Sequence, residues 1–275
     1  MIEERENMKN KKMMSVLSLA ILGSSLLAPS VLAAENEGGV YQSNGLVKFV
    51  PDEDQTNPVD PLDPEKPVKP IDPTDPENPD KPAKPGTDGP LSIDFASSFD
   101  FGVNKITSKD EIYYARAQRF NGYDNRPNYV QVTDKRGTNA GWVLKVKQDK
   151  QFESDSTVNK ELIGAAVTLS NSKVNGLTVT ERPEASDVTL TPGEEKVIMS
   201  AEVGAGAGTW LDYWGDVEKI TEKDADGKDV VVDVTKSVTL SVPGKTAKNA
   251  KEYRTSFTWR LTDVPPTGET ETVTP

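Results

Sequence analysis

The chain has 275 residues, enough for one or two domains. It holds no cysteine and no histidine. That excludes disulfides, a lipid-anchored N-terminal cysteine, the common thiolate and imidazole metal sites, and any Ser-His-Asp or Cys-His catalytic arrangement. A formal charge of −12 disfavours nucleic acid, whose phosphates need a basic face, and weakens an electrostatic hold on membranes.

Residues 1–34 read as a secretory signal peptide. Lys9, Lys11 and Lys12 form a basic start, Met13 to Leu27 is apolar or small without a charge, and Val31-Leu32-Ala33-Ala34 supplies a cleavage site. A transmembrane helix is the rival reading, but Gly23, Ser24, Ser25 and Pro29 interrupt the run. The mature chain is thus expected outside the cell, with no membrane span. A secreted chain of this length without cysteine suits a bacterium.

Residues 35–50 contain one expected short strand, Gly45-Leu46-Val47-Lys48-Phe49-Val50, which must dock elsewhere or stay loose. Over 51–89 prolines recur every third residue from Pro58 to Pro85, the period of polyproline II. The residues before them run in pairs of acids and bases, Asp60 and Asp63, then Lys66 and Lys69. This stretch predicts a Pro/Asp-rich extended linker, either a disordered solubilising segment or a semi-rigid spacer reaching roughly 85 Å.

Residues 90–275 read as one all-β domain. Short alternating runs predict strands at 92–95, 112–117, 129–133, 141–147, 162–169, 177–180, 196–203, 230–234, 237–242 and 254–262, with Gly, Asn, Asp and Pro between them. Such a pattern predicts an antiparallel β-sandwich, or a barrel-like sandwich. Two stretches stand out: Gly141-Trp142-Val143-Leu144-Lys145-Val146 and Phe257-Thr258-Trp259-Arg260-Leu261-Thr262. In each, Trp and Leu fall on the apolar face of a half-buried strand. Pairing these two strands would bring the start and end of the domain together.

Other candidates are weighed against plain structure. Asp224 to Asp229 lacks the spacing of a calcium loop and reads as the Asp-Gly turn of a hairpin. Gly204-Ala205-Gly206-Ala207-Gly208 has no strand-to-helix context and reads as a flexible loop, not a phosphate cradle. A glycosidase needs a carboxylate pair about 5–10 Å apart, and nothing among many acids selects one. No cofactor, metal or catalysis is expected. Val264-Pro265-Pro266-Thr267-Gly268 is similar to a wall-sorting signal but lacks the apolar span and basic tail, so attachment is expected to be non-covalent.

Taken together, the signal, the Asp/Pro spacer, Gly89 to Phe95 with Asp100-Phe101-Gly102, and the two Trp-x-Leu strands closing on Asp263-Val264-Pro265 resemble the WxL family of Gram-positive surface proteins. The family usually has alanine where Val264 stands and ends near Pro265; Thr267–Pro275 departs from that. The resemblance implies a C-terminal domain that binds peptidoglycan non-covalently at the cell wall surface. It also implies other cell-surface proteins as partners in multi-protein complexes, with adhesion among the roles.

That leaves two roles for Trp142, Leu144, Trp259 and Leu261: a fold-defining core, which the alternation favours, or direct contact with the wall. Trp210, Tyr213 and Trp214 lie beside glycine-rich sequence with no clear period. They are read as loop aromatics that either stack on glycan or plug one end of the sandwich.

Overall fold

The computed structural model describes residues 39–263, apart from Pro76, Glu77, Pro79 and Ala225. The expected signal peptide and the stretch from Val264 to Pro275 lie outside the described residues. Residues 39–47 belong to one compact unit and residues from Lys48 onward to another. In the first, residues 39–47 are exposed and form no strand; the same holds for 48–50 in the second. The strand expected at 45–50 is therefore not formed within this chain.

The described residues contain strands and no helix. In chain order they are β1 (Val59–Asp60), β2 (Asp63–Pro67), β3 (Leu91–Ala96), β4 (Glu111–Arg116), β5 (Gln118–Phe120), β6 (Tyr123–Arg126), β7 (Tyr129–Asp134) and β8 (Trp142–Gln148). Then come β9 (Ala166–Leu169), β10 (Ser172–Gly176), β11 (Glu184–Ala185), β12 (Val188–Thr189), β13 (Glu195–Ala201), β14 (Gly208–Trp214), β15 (Val217–Lys223), β16 (Asp229–Val242) and β17 (Phe257–Thr262).

Two sheets have the orders β10-β14-β7-β3 and β11-β13-β8-β17. A third runs β12-β9-β16-β15, with β4 also on β16. Hairpins β1–β2 and β5–β6 complete the set. Every ladder between these strands is antiparallel. Among the described residues no sheet closes on itself, so the barrel-like alternative is corrected.

The third sheet owes its existence to β16. Two strands were expected over 230–242, but nothing in Thr235-Lys236-Ser237 turns the chain, and one strand of 14 residues results. Its register with β4 shifts between Thr235 and Thr239, a bulge that lets it bend without ending. Thr239 pairs with Tyr114 on one side and Thr168 on the other. The Asp-Gly turn forms as expected: β15 and β16 pair from Val217↔Thr235 to Lys223↔Asp229.

One core serves all three sheets. Trp142, Leu144 and Val146 of β8 meet Val130 and Val132 of β7, Trp210 and Trp214 of β14, Ile198 and Met199 of β13, and Val238 and Leu240 of β16. The alternation on β8 delivers this directly, since side chains two apart share a face.

A second, smaller core corrects the linker expectation. Val68, Phe95, Phe120, Tyr129 and Leu211 are buried together, with Val59, Ala83 and Tyr213 against them. Tyr129 and Leu211 lie on the far face of β7 and β14, so the stretch expected to hold things apart instead covers that face. Its backbone is tied down: the Ile71 amide donates to the Arg119 carbonyl at 3.0 Å, and the Asn121 amide to the Lys69 carbonyl at 3.1 Å. The Val59 amide donates to Gln131 Oε1 at 2.8 Å, and Asn175 Nδ2 to the Pro61 carbonyl at 2.9 Å. Asp60 is buried and accepts from Arg126 Nε through both carboxylate oxygens at 2.9 Å; that carboxylate holds the Arg126 guanidinium above its usual range. Proline removes amide donors, and here the amides that remain are the ones that bond. Ile71→Ala should cost about 2 kcal/mol, near the low end for a large-to-small core change because the site is peripheral. Limited proteolysis should then cut within 51–89; equal resistance in wild type and variant would show that the cover does not depend on Ile71.

Candidate functional site

The two Trp-x-Leu strands are hydrogen-bonded neighbours. β17 pairs with β8 in the register Trp259↔Val146, Arg260↔Lys145 and Leu261↔Leu144. Their inner faces differ in depth. Trp142 and Leu144 are fully buried, while β17 ends the sheet and leaves Trp259 and Leu261 half-buried.

The glycine-rich stretch holds the motif rather than a ligand. Trp142 Nε1 donates to the Gly206 carbonyl at 3.0 Å, and Trp210 Nε1 to the Ala207 carbonyl at 2.9 Å. Gly206 has φ +74°, and a Cβ there would lie 2.7 Å from Trp142 Nε1. Only glycine fits both the backbone and the approach. The loop expected to be flexible is a grip on two indoles.

Trp210, Tyr213 and Trp214 are strand residues of β14, and the loop reading is corrected. Trp210 and Trp214 face the main core and are 1% and 0% exposed, so neither indole offers a face to a sugar. From Trp210 to Trp214 both faces carry large apolar or aromatic side chains, with Asp212 the exception, which hid the strand period. Tyr213 points to the other side, half-buried, with Lys173 Nζ 5.8 Å from its ring centre. The aromatic rings run on across the core: Trp214 stacks on Trp259 at 6.3 Å, and Phe99 sets its edge to Trp214 at 6.0 Å and to Phe257 at 5.2 Å. Trp259→Ala should therefore cost only about 1–2 kcal/mol, since part of the indole is already in water. A melting shift as large as that of Trp210→Ala would contradict its half-buried place.

The outer face of β8 and β17 is polar and organised. Arg260 Nε donates to Glu195 Oε1 at 2.9 Å, and Lys145 Nζ lies 3.6 Å from Glu195 Oε2. Thr258 Oγ1 donates to Asp149 Oδ1 at 2.8 Å and Ser256 Oγ to Asp149 Oδ2 at 2.8 Å. These hydroxyls, Ser256 first, then Thr258, hold the Asp149 carboxyl below its ordinary value. At the same end of the strands an open depression is lined by Lys150, Glu153, Ser154, Asp155, Lys160, Arg254, Thr255 and Ser256. Lys160 Nζ is 3.0 Å from Glu153 Oε2, and Lys150 Nζ pairs with Glu153 as well. The Arg254 amide donates to the Glu153 carbonyl at 2.8 Å, which fixes the base of the depression. A second shallow depression, between Asp60, Lys66, Tyr123, Asp124 and Arg126, is lined by the covering segment and β6.

No local motif marks Asp149, Glu195, Lys150 or Lys160, whereas Arg254 lies on the polar side of the second motif strand. The available signal was the polar half of the second motif, Ser256, Thr258 and Arg260, which shares one strand face.

Among the described residues, no group of three acidic side chains could hold a metal ion. Carboxyls raised above their ordinary value lie inside the protein. Asp94 is buried, and desolvation outweighs donation from Ser92, Thr133 and Gln131. Asp212 is pushed up to about 8 by burial.

A family model described as WxL domain, surface cell wall-binding, matches residues 36–265. The chain belongs to the WxL family. Comparison with curated proteins and with solved structures gives no match. The WxL match takes in the exposed residues 39–50 and the covering segment as well as the motif strands. Cell-surface wall binding is the activity this family carries. No helix among the described residues is long and apolar enough to cross a membrane.

Proposed function

We propose that this WxL chain is exported by residues 1–34 and binds peptidoglycan non-covalently through the outer face of β8–β17 and the adjoining depression. Pairing of the two Trp-x-Leu strands carries the reading. It sets Lys145, Lys147, Thr258 and Arg260 side by side and places Lys150, Lys160 and Arg254 at the end of the same two strands. Peptidoglycan is a polymer of acylated amino sugars and short peptides, rich in hydroxyls, amides and carboxylates. Exposed lysine and arginine beside threonine and serine suit hydrogen bonds and charge-assisted bonds to such groups. In this reading the motif indoles act through the fold. Trp142 fixes β8, Trp259 fixes β17 on it, and the polar face is what the wall meets. Asp149, held ionised, suits the acceptance of hydrogen bonds from sugar hydroxyls and not the role of a proton donor.

The test is co-sedimentation of the purified mature chain with protein-free murein. The chain should pellet with the murein and be released by concentrated salt or chaotrope. Lys150→Ala with Lys160→Ala should weaken binding about tenfold, or about 1.4 kcal/mol, with unchanged melting. Protein released only by murein digestion would mean a covalent link. A chain that ignores bare murein but pellets with walls carrying other surface proteins would favour the second reading, an interaction subunit held by its partners. The exposed apolar residues between Val40 and Val50 are the observation on that side. Turnover of soluble wall fragments would instead reopen an enzymatic role.

A further inference from the structure

The least explained feature of the molecule is its N-terminal described stretch. Val40, Tyr41, Leu46, Val47, Phe49 and Val50 are 94%, 92%, 100%, 70%, 86% and 73% exposed. Single exposed apolar residues are ordinary, but four within the five residues 46–50, broken only by Lys48, mark an interaction surface. Residues 39–50 contain no acid on a chain of net charge −12. From Gly45 to Val50 the sequence is that of a strand: Val47 and Phe49 on one face, Leu46, Lys48 and Val50 on the other, with Pro51 ending the run. Yet it lies in no sheet. The WxL match begins at residue 36, so this stretch is part of the domain and not a passenger.

A strand without a sheet can pair with an open edge of another molecule, and among the described residues there is one. β17 ends its sheet, and none of the described residues pairs with its outer edge. The other edges of the three larger sheets are guarded. β15 carries Glu218, Lys219, Glu222 and Lys223, the charges with which proteins block edge pairing. At β3, the Thr87 amide donates to the Ile93 carbonyl at 2.8 Å and the Ile93 amide to Thr87 Oγ1 at 2.9 Å. At β4, the Arg116 amide donates to the Asp100 carbonyl at 2.7 Å. At β10, the Ser172 amide donates to Asp187 at 3.0 Å. β11 and β12 span two residues each. β17 has six residues, one charge, and a row of half-buried apolar side chains, Phe257, Trp259 and Leu261, along that edge.

We propose that Gly45–Val50 of one chain adds as a further strand to β17 of a second copy. Main-chain bonds would extend the sheet, Val47 and Phe49 would cover the half-buried row of Phe257, Trp259 and Leu261, and Lys48 would lie on the polar side with Thr258 and Arg260. Donor and acceptor edge sit on the same polypeptide, which is why a second copy is the partner. The exchange closes into a pair if reciprocal and propagates as a chain if it is not.

The test uses the full mature chain. Sedimentation velocity across a concentration series should show reversible association. Phe49→Asp or Val47→Asp should raise the dissociation constant at least tenfold with unchanged melting, since both side chains are exposed. Because the chain has no cysteine, position can be read by disulfide trapping. A Lys48→Cys batch mixed with Thr258→Cys, Arg260→Cys or Thr262→Cys batches should give a cross-linked heterodimer with at least one of them. Adding Phe49→Asp should abolish it. A wild type monomeric at every concentration, association indifferent to Phe49→Asp, or a double-cysteine chain that closes only on itself would each overturn the proposal. Murein binding by Phe49→Asp chains should be unchanged, so the two readings fail separately.

Discussion

Trp142→Ala is expected to cost about 5 kcal/mol and to leave the domain largely unfolded at ambient temperature. The indole is fully buried between sheets, and its truncation falls among the costly core changes of about 3–5 kcal/mol. A further cost arises at Gly206. Its carbonyl accepts from Trp142 Nε1, and without the indole a buried acceptor stays unpaired, worth about 1–3 kcal/mol. Typical domains have about 5–15 kcal/mol in total, so the loss is a large share. Trp142→Phe separates the two contributions: it keeps much of the packing and loses the hydrogen bond, and should cost clearly less than the alanine change. Denaturant titration followed by circular dichroism reads both. A Trp142→Ala chain that melts within a few degrees of wild type would show that the motif is not a fold determinant. Loss of murein binding by such a chain would then place the indole at the ligand.

The contrast between the two motif tryptophans marks how far the sequence could be read. Strict alternation showed which face of each strand turns inward, and Trp142, Leu144 and Val146 are buried as it requires. Alternation carries no information on where a strand lies within its sheet. Trp259 has the same pattern as Trp142, but β17 is an edge strand and its indole stays partly in water. The reverse error occurred at Trp210 and Trp214. β14 is covered on one side by the main core and on the other by the 51–89 segment, so both its faces are apolar and no period of two survives. That covering segment was itself hidden by proline. A repeat of three drew attention to polyproline II, yet Val59, Val68 and Ile71 keep the same period beside the prolines and form the apolar edge that docks. The outer-face groups Asp149, Glu195 and Arg260 come from three separate stretches. Only strand pairing brings them together, and no local pattern announces it.

Asp212→Asn is expected to stabilise the protein at neutral and alkaline pH. Asp212 sits on β14 between Trp210 and Trp214, on the strand face that meets the main core, and is fully buried. One carboxyl oxygen accepts from Ser172 Oγ, and the other has no hydrogen-bond partner among the described residues. Burial is the largest influence and pushes the carboxyl up to about 8; the Asp187 charge adds to it, while Ser172 and the Lys173 backbone oppose it. An acid with a higher value folded than unfolded binds more protons in the folded state between the two values. Stability must then fall as pH rises from about 4 to about 8, and level off above. Across that window the loss is on the order of 5 kcal/mol, an upper figure, since structural relaxation reduces it. Asparagine keeps an oxygen for Ser172 and never ionises. The variant should match wild type near pH 4, exceed it by several kcal/mol at pH 8, and show little pH dependence between. Carboxyls held low, such as Asp149 and Asp233, do not blur the result. Their contribution is lost only as pH falls below the ordinary carboxylate value, outside this window. Urea titrations at pH 4.5, 6 and 8 on both proteins decide it. Wild-type stability that is flat from pH 5 to 8, or a variant weaker than wild type at pH 8, would mean that Asp212 is ionised in the folded core and compensated by a partner.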